Sequence, residues 1–228
     1  MTLDRYFITS LPALGDLGSV PPMGFAELWE WLADHRRIRP LAGSLLLMDD
    51  LQQRESYLAG EVDYLEPTVL DLSQMLGRSP LPAYLTPEAG EPSASPRRIA
   101  ADQLWEAYFR YTARLAEVRK SLFLAAWVGH EVALRNAVAT ARAERLGLEP
   151  AAYLVAPELA HTDDDFGSLL GEWAAATSPL AGQQRLLRAK WDWIESRDPY
   201  FTFVDDELLV YTARLILLKQ WQRIAGNE

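Results

Sequence analysis

The chain has 228 residues, 49% of them hydrophobic and 11% aromatic, enough to bury a sizeable core as one large domain or two small ones and too apolar for disorder. Its 32 acidic and 22 basic residues leave a formal charge of −10, a poor footprint for the nucleic-acid backbone, so no nucleic-acid partner is expected. The absence of cysteine removes disulfides, thiolate metal sites and cysteine nucleophiles together, and suits a reducing compartment.

The opening MTLDRYFITSLP has no basic region followed by an apolar core, and the longest apolar run, Leu122 to Gly129, is far short of a spanning helix. A soluble, cytoplasmic protein is expected. Tyr6, Phe7 and Ile8 read as an extended segment, a strand or an anchored arm, stopped by Pro12. After Pro21-Pro22, residues Phe25, Leu28, Trp29 and Leu32 mark a short amphipathic helix that ends near Arg36-Arg37, with Pro40 as its breaker. Ser44 is the expected cap of a second helix carrying Leu45, Met48 and Leu51. Thr68 with Asp71 suggests a capping box that opens a third, closed by Gly77. Residues 1–77 therefore form an N-terminal helical region.

Five prolines, at 80, 82, 87, 92 and 96, mixed with Gly, Ser and Ala, mark residues 78–97 as a linker. Residues 98–228 are the expected C-terminal helical domain. Within it Asp102 to Pro150 reads as one long helix or two collinear ones. Steps of four and three from Leu104 through Tyr108, Tyr111, Leu115, Val118, Leu122, Ala125, Gly129 and Val132 to Asn136 give an apolar stripe at helical period. Gly129, Ala133, Ala137 and Ala141 form a row of small residues that admits a close neighbour, expected to be a helix. Gly147 and Pro150 terminate the stretch, which as one helix would reach roughly 65 Å and give an elongated outline. Beyond it, Thr162 with Asp165 caps a helix with Phe166, Leu169, Leu170 and Trp173. Ser178-Pro179 starts a helix with Leu186, Leu187, Lys190, Trp191 and Ile194, and the last begins near Asp205 with an acidic first turn. The predicted fold is all-α, an elongated helical bundle around one long central helix. Tyr111-Thr-Ala-Arg-Leu115 recurs as Tyr211-Thr-Ala-Arg-Leu215, which suggests a duplicated helical unit.

Motifs for catalysis are sparse. His35, His130 and His161 are few and dispersed, and no HExxH, phosphate loop, GxSxG or GxGxxG is present, so neither a metal nor a cofactor is expected. His161 followed by Asp163, Asp164 and Asp165 offers ligands to a divalent ion, but acidic residues at a helix start are favoured by the dipole alone. Asp49-Asp50 and Asp205-Asp206 are sequence neighbours that do not face each other on a helix, and read as solvated charge. His130, Glu131, Arg135 and Asn136 form the most suggestive polar cluster. General acid–base work by His130 and Glu131 is one reading. The favoured one is structural, with Glu131 and Arg135 paired four residues apart and Asn136 satisfying a neighbouring backbone or helix.

At these residues a family resemblance emerges. Glu131-Val-Ala-Leu-Arg135-Asn136, followed by Ala141-Arg-Ala-Glu-Arg-Leu-Gly147-Leu-Glu-Pro150, resembles the E-x-x-x-R-N…LGL-x-P helix of the C (eukaryotic d) subunit of V/A-type ATPases. Tyr6-Phe-Ile-Thr-Ser-Leu-Pro12, with Pro21 and Phe25, resembles the opening of an uncharacterised bacterial family encoded among V-type ATPase subunits. Trp191-x-Trp193 and Phe201-Thr-Phe203, leading into Tyr211 and Trp221, are similar to the C-terminal helices of that family. Arg78 to Pro96 carries no resemblance. The resemblance implies a non-catalytic helical subunit between the central stalk and the membrane rotor ring, peripheral to the inner membrane and not inserted in it, transmitting rotation coupled to ion transport, protons included. Two features depart from the pattern: the C subunit has three similar helical units where this chain has room for about two, and the Tyr211 copy lacks the Glu-x-x-x-Arg-Asn cluster. Asp163, Asp164 and Asp165 together with Asp205, Asp206 and Glu207 are candidate docking points for basic partner surfaces. The alternatives are a small cytoplasmic enzyme using His130 and Glu131, and a free-standing helical adaptor.

Overall fold

The computed structural model describes residues 5–86, 100–198 and 205–226, which form nine α-helices and no strand. They are α1 (Arg5–Ser10), α2 (Phe25–Trp31), α3 (Arg39–Leu58), α4 (Leu72–Met75), α5 (Ala100–Arg119), α6 (Leu122–Arg145), α7 (Gly167–Ala174), α8 (Pro179–Glu195) and α9 (Asp205–Ala225), with 3-10 turns at Ala83–Leu85, Pro150–Tyr153 and Pro157–Leu159. The all-α class is the one expected.

Compact units do not follow chain order. One comprises Met1–Leu76 with Gly171–Glu228, the other Gly77–Leu170. Residues 98–228 are therefore not one compact body, because α9 buries its apolar face in the first unit. Leu208, Leu209, Leu215 and Leu218 of α9 are fully enclosed there, as are Leu28, Leu32, Ile38, Leu45 and Leu46. Hydrogen bonds from the side chains of α9 reach the start of the chain: the Tyr211 hydroxyl donates to the Pro12 carbonyl at 3.0 Å and the Gln222 amide to that of Gly18 at 2.9 Å. Of the expected linker, Ala83–Leu85 is structured, with Leu85 buried and Tyr84 stacked on Tyr111 at 4.3 Å; residues 87–99 lie outside the described residues.

Several local starts and stops differ from expectation. The Tyr6–Ile8 segment is helical, within α1, and neither strand nor extended arm. Pro40 does not break a helix but sits in the first turn of α3, where the N–H it lacks would have no helical partner. Ser44 lies inside α3, buried, its hydroxyl donating to the Leu41 carbonyl at 2.7 Å. The capping box of α4 is Asp71 with Gln74, at 2.8 and 3.0 Å, and Thr68 is drawn away to Asp50. Gly77 and Gly147 take positive φ, 69° and 65°, as helix ends favour. Ser178 caps α8 through the Ala181 N–H, and α9 starts at Asp205. The aromatic turn at Tyr200, Phe201 and Phe203 is outside the described residues.

In the second unit the expected rod of Asp102 to Pro150 is not formed. At Lys120 the backbone turns left-handed (φ 56°), the Ser121 N–H reaches back to the Ala116 carbonyl at 3.0 Å, and the Ser121 hydroxyl caps α6 through the Leu124 N–H at 3.2 Å. These two bonds end one helix and begin the next within two residues, so α5 and α6 fold back as an antiparallel hairpin. The apolar stripe fails at the same place. Val118 is 69% exposed and Leu122 81%, and Ala125 is exposed, because helical phase is lost across the turn; α6 instead buries Phe123, Leu124, Trp127, Val128 and Val132. Trp105, Tyr108 and Phe109 of α5 form a ring cluster with centroids 5.2–6.0 Å apart.

The echoed pentapeptides occupy one helix in each unit. Thr112 and Thr212 are both fully buried and donate to carbonyls one turn back, Tyr108 at 2.9 Å and Leu208 at 2.8 Å. Their surroundings differ: α5 packs on the helix that follows it, α9 on α3 and the preceding α8.

Candidate functional site

Four polar side chains that stood out in sequence project from the middle of α6, two toward α5 and two toward the chain that follows α6 in the second unit. Arg135 crosses the hairpin to Asp102 of α5 at 3.2 Å and lies 4.9 Å over the Trp105 ring. The pair predicted with Glu131 does not form, because Asp102, only 8% exposed at its side chain, offers Arg135 a partner on the facing helix. Glu131 is buried in the hairpin near Tyr108, whose hydroxyl is pushed well above its ordinary value by burial first and by the Glu131 charge to a lesser extent. Asn136 closes a two-bond ring on the backbone of Val155: its amide donates to the carbonyl at 2.9 Å and its carbonyl accepts the N–H at 2.8 Å. That backbone belongs to the chain returning from the end of α6, where no regular ladder exists to satisfy it.

The same returning segment fills the groove above the small-residue row. The backbone N–H of His161 donates to the Gly129 carbonyl at 3.1 Å, and a methyl on Gly129 would overlap the His161 ring. The close neighbour is thus the strand-less segment after α6 and not a helix. His130, 5% exposed, meets the Asp164 carboxylate through Nδ1 at 2.9 Å, with Phe166 at 5.5 Å between ring centroids; the His161 Nδ1 is 3.8 Å from the same carboxylate oxygen. His130 is therefore a neighbour of the His161–Asp164 stretch, with 34 positions between it and Asp164, which sequence spacing did not reveal. A buried imidazole on a carboxylate can hold a proton or orient a ring. Among the described residues no group of three or more His, Asp or Glu is arranged to hold a metal ion, these three included.

Chemistry of a second kind lies in the first unit, against expectation. Asp49 and Asp50, expected to be solvated, are both fully buried. Asp49 accepts a two-pronged contact from Arg223 near the end of α9, at 2.7 and 2.9 Å, and a third bond from Gln53 at 2.7 Å. Asp50 accepts the backbone N–H groups of Thr68, Val69 and Leu70 at 3.0, 2.7 and 2.8 Å. Burial nevertheless pushes its carboxyl up to about 6, the three N–H donors pull it back, and the neighbouring Asp49 adds to the rise. Adjacent helix residues point in different directions, and here that sends one carboxylate to α9 and the other to the loop before α4. Nothing local in the sequence signals this, since the partners lie about 20 and 174 positions away.

Of the candidate docking residues, Asp164 is held by His130, and Asp165 accepts the Gly167 N–H at 2.9 Å as the local cap of α7, a role expected of Thr162. Thr162 donates instead to Asp163 at 3.2 Å. Asp205 pairs with Arg37 at 2.7 Å and, like Asp206 and Glu207, is half-buried. Asp163 and Asp165 remain exposed. No helix among the described residues is long and apolar enough to cross a membrane. Compared with protein families, curated proteins and solved structures, the chain matches none of them.

Proposed function

We propose that the chain is a non-catalytic helical subunit of a bacterial V/A-type ATPase, linking the central stalk to the membrane rotor ring and transmitting rotation coupled to ion transport. The observation that carries the reading is the use made of the residues on which the resemblance rests. Arg135 is committed to Asp102 and Trp105, and Asn136 to the Val155 backbone, so both serve the fold of the second unit. Asp49 and Asp50 are likewise committed to Arg223 and to three backbone N–H groups. Buried polar groups satisfied internally fix register between elements, which suits a body that must transmit force. Removal of the chain from the assembled ATPase should leave ATP hydrolysis by the catalytic head in place while ion transport falls to background. Transport that stays fully coupled to hydrolysis without the chain would overturn the proposal.

The acid–base reading has one observation in its favour, the buried His130–Asp164 pair, and it assigns Asp164 rather than Glu131 as the partner. It requires that some turnover be abolished by His130→Ala in a chain that remains folded.

A further inference from the structure

We propose that the turn between α5 and α6 is a membrane-surface contact: Val118 and Leu122 enter the headgroup zone of an anionic bilayer while Arg119 and Lys120 engage its lipid phosphates. Three features meet at this apex. Val118 and Leu122 are 69% and 81% exposed, the latter the most exposed large hydrophobic residue among those described. Arg119 and Lys120 are exposed and make no ion pair or hydrogen bond through their side chains with the described residues, in a chain whose net charge is −10. Lys120 takes φ 56°, a conformation that three other helix ends fill with glycine, Gly60, Gly77 and Gly147. A lysine there keeps a long cationic side chain at the apex where glycine would have carried no steric penalty.

The size of the feature selects the occupant. A stable protein interface buries about 800 Å² on each partner, far more than a convex turn of five residues can present. Shallow insertion needs only a few apolar side chains and nearby cations, and one such contact is weak and reversible. Exposed Glu117 offsets one of the two cations and leaves a local charge of +1 over residues 117–122; screening confines the repulsion from the more distant acidic residues, since fields between exposed charges fade over about 8 Å at physiological ionic strength. The proposal departs from the expectation of no direct insertion. It concerns two side chains at headgroup depth, not a spanning segment, and it does not depend on membership of an ATPase.

The chain has no cysteine, so Leu122→Cys gives a single site for an environment-sensitive fluorophore. Emission from this label should shift to the blue on vesicles of phosphatidylserine and phosphatidylcholine and stay unchanged on phosphatidylcholine alone. The same label at exposed Glu149, beyond the far end of α6 in the same unit, should not respond. Sedimentation of the unlabelled chain with the anionic vesicles should weaken about fivefold for each of Arg119→Gln and Lys120→Gln. Val118→Ser should weaken it as well. An unshifted label, or binding that survives Arg119→Glu with Lys120→Glu in a folded chain, would overturn the proposal. So would a label that stays silent on vesicles and responds to added ATPase subunits, which would make the apex a protein contact.

Discussion

Replacing Asn136 by alanine removes both bonds that tie α6 to Val155. Val155 is fully buried and Asn136 is 8% exposed, so water does not replace the lost partner. Its N–H and carbonyl are then left unsatisfied, at about 1–3 kcal/mol each, and the expected loss is about 2–5 kcal/mol. A domain of this size is stable by about 5–15 kcal/mol, and at a urea dependence of about 1–3 kcal/mol per molar the midpoint should fall by one to several molar. Asn136→Asp provides the discriminating control. Its carboxylate still accepts from the Val155 N–H but opposes the Val155 carbonyl, so it should cost as much as alanine at pH 7. It should recover part of that loss as pH falls, because the protonated group can donate to that carbonyl. Urea unfolding at pH 7 and pH 5 measures all three chains. A loss below about 1 kcal/mol for Asn136→Ala, or no recovery of Asn136→Asp in acid, would refute the assignment of Asn136 as the clamp on the returning segment.

The Asp50 carboxyl should titrate near 6 when followed by its ¹³C shift in the folded protein. Because the folded value lies above the unfolded one, the folded state holds this proton longer. Its contribution is therefore fully present below pH 3.8 and is lost as pH rises toward 6 and above, by about 3 kcal/mol in all; a midpoint near 4 would contradict the role given to burial. Arg135→Ala should lower stability by about 1–3 kcal/mol by leaving the enclosed Asp102 carboxylate without its cation, and unchanged unfolding would remove the cross-hairpin pair from the account. Gly129→Ala should destabilise although alanine favours a helix, and His161→Ala should relieve the strain. A double-mutant coupling under about 0.5 kcal/mol would show that the close contact with the His161 ring carries no energy.

Elements marked by punctuation were legible in the sequence. Gly77 and Gly147 end helices, Ser178 caps α8 and the acidic turn at Asp205 begins α9, each through short-range chemistry that a linear reading contains. The hairpin was not, because its turn carries lysine in a conformation usually signalled by glycine, and the apolar steps run on across Lys120 without visible interruption. Thr68 with Asp71 reads as the capping box, whereas Asp71 is itself the cap and pairs with Gln74, while Asp50, 18 residues away, takes the Thr68 N–H. At the candidate sites, Asn136 was legible as a residue that needs a partner on a neighbouring backbone or helix, though not that the partner is the Val155 backbone. The burial of Asp49 and Asp50 was hidden, since adjacent acids look solvated until Arg223 and the loop at 68–70 are brought to them.

Purification of the tagged chain from native membranes in gentle detergent, with its companions identified by mass spectrometry and counted against it, tests the central claim most directly. The account predicts central-stalk and rotor-ring subunits of a V/A-type ATPase in fixed proportion to the chain, persisting through washes at moderate salt. Recovery of the folded chain without those subunits, from membranes in which the ATPase itself is intact, would contradict it.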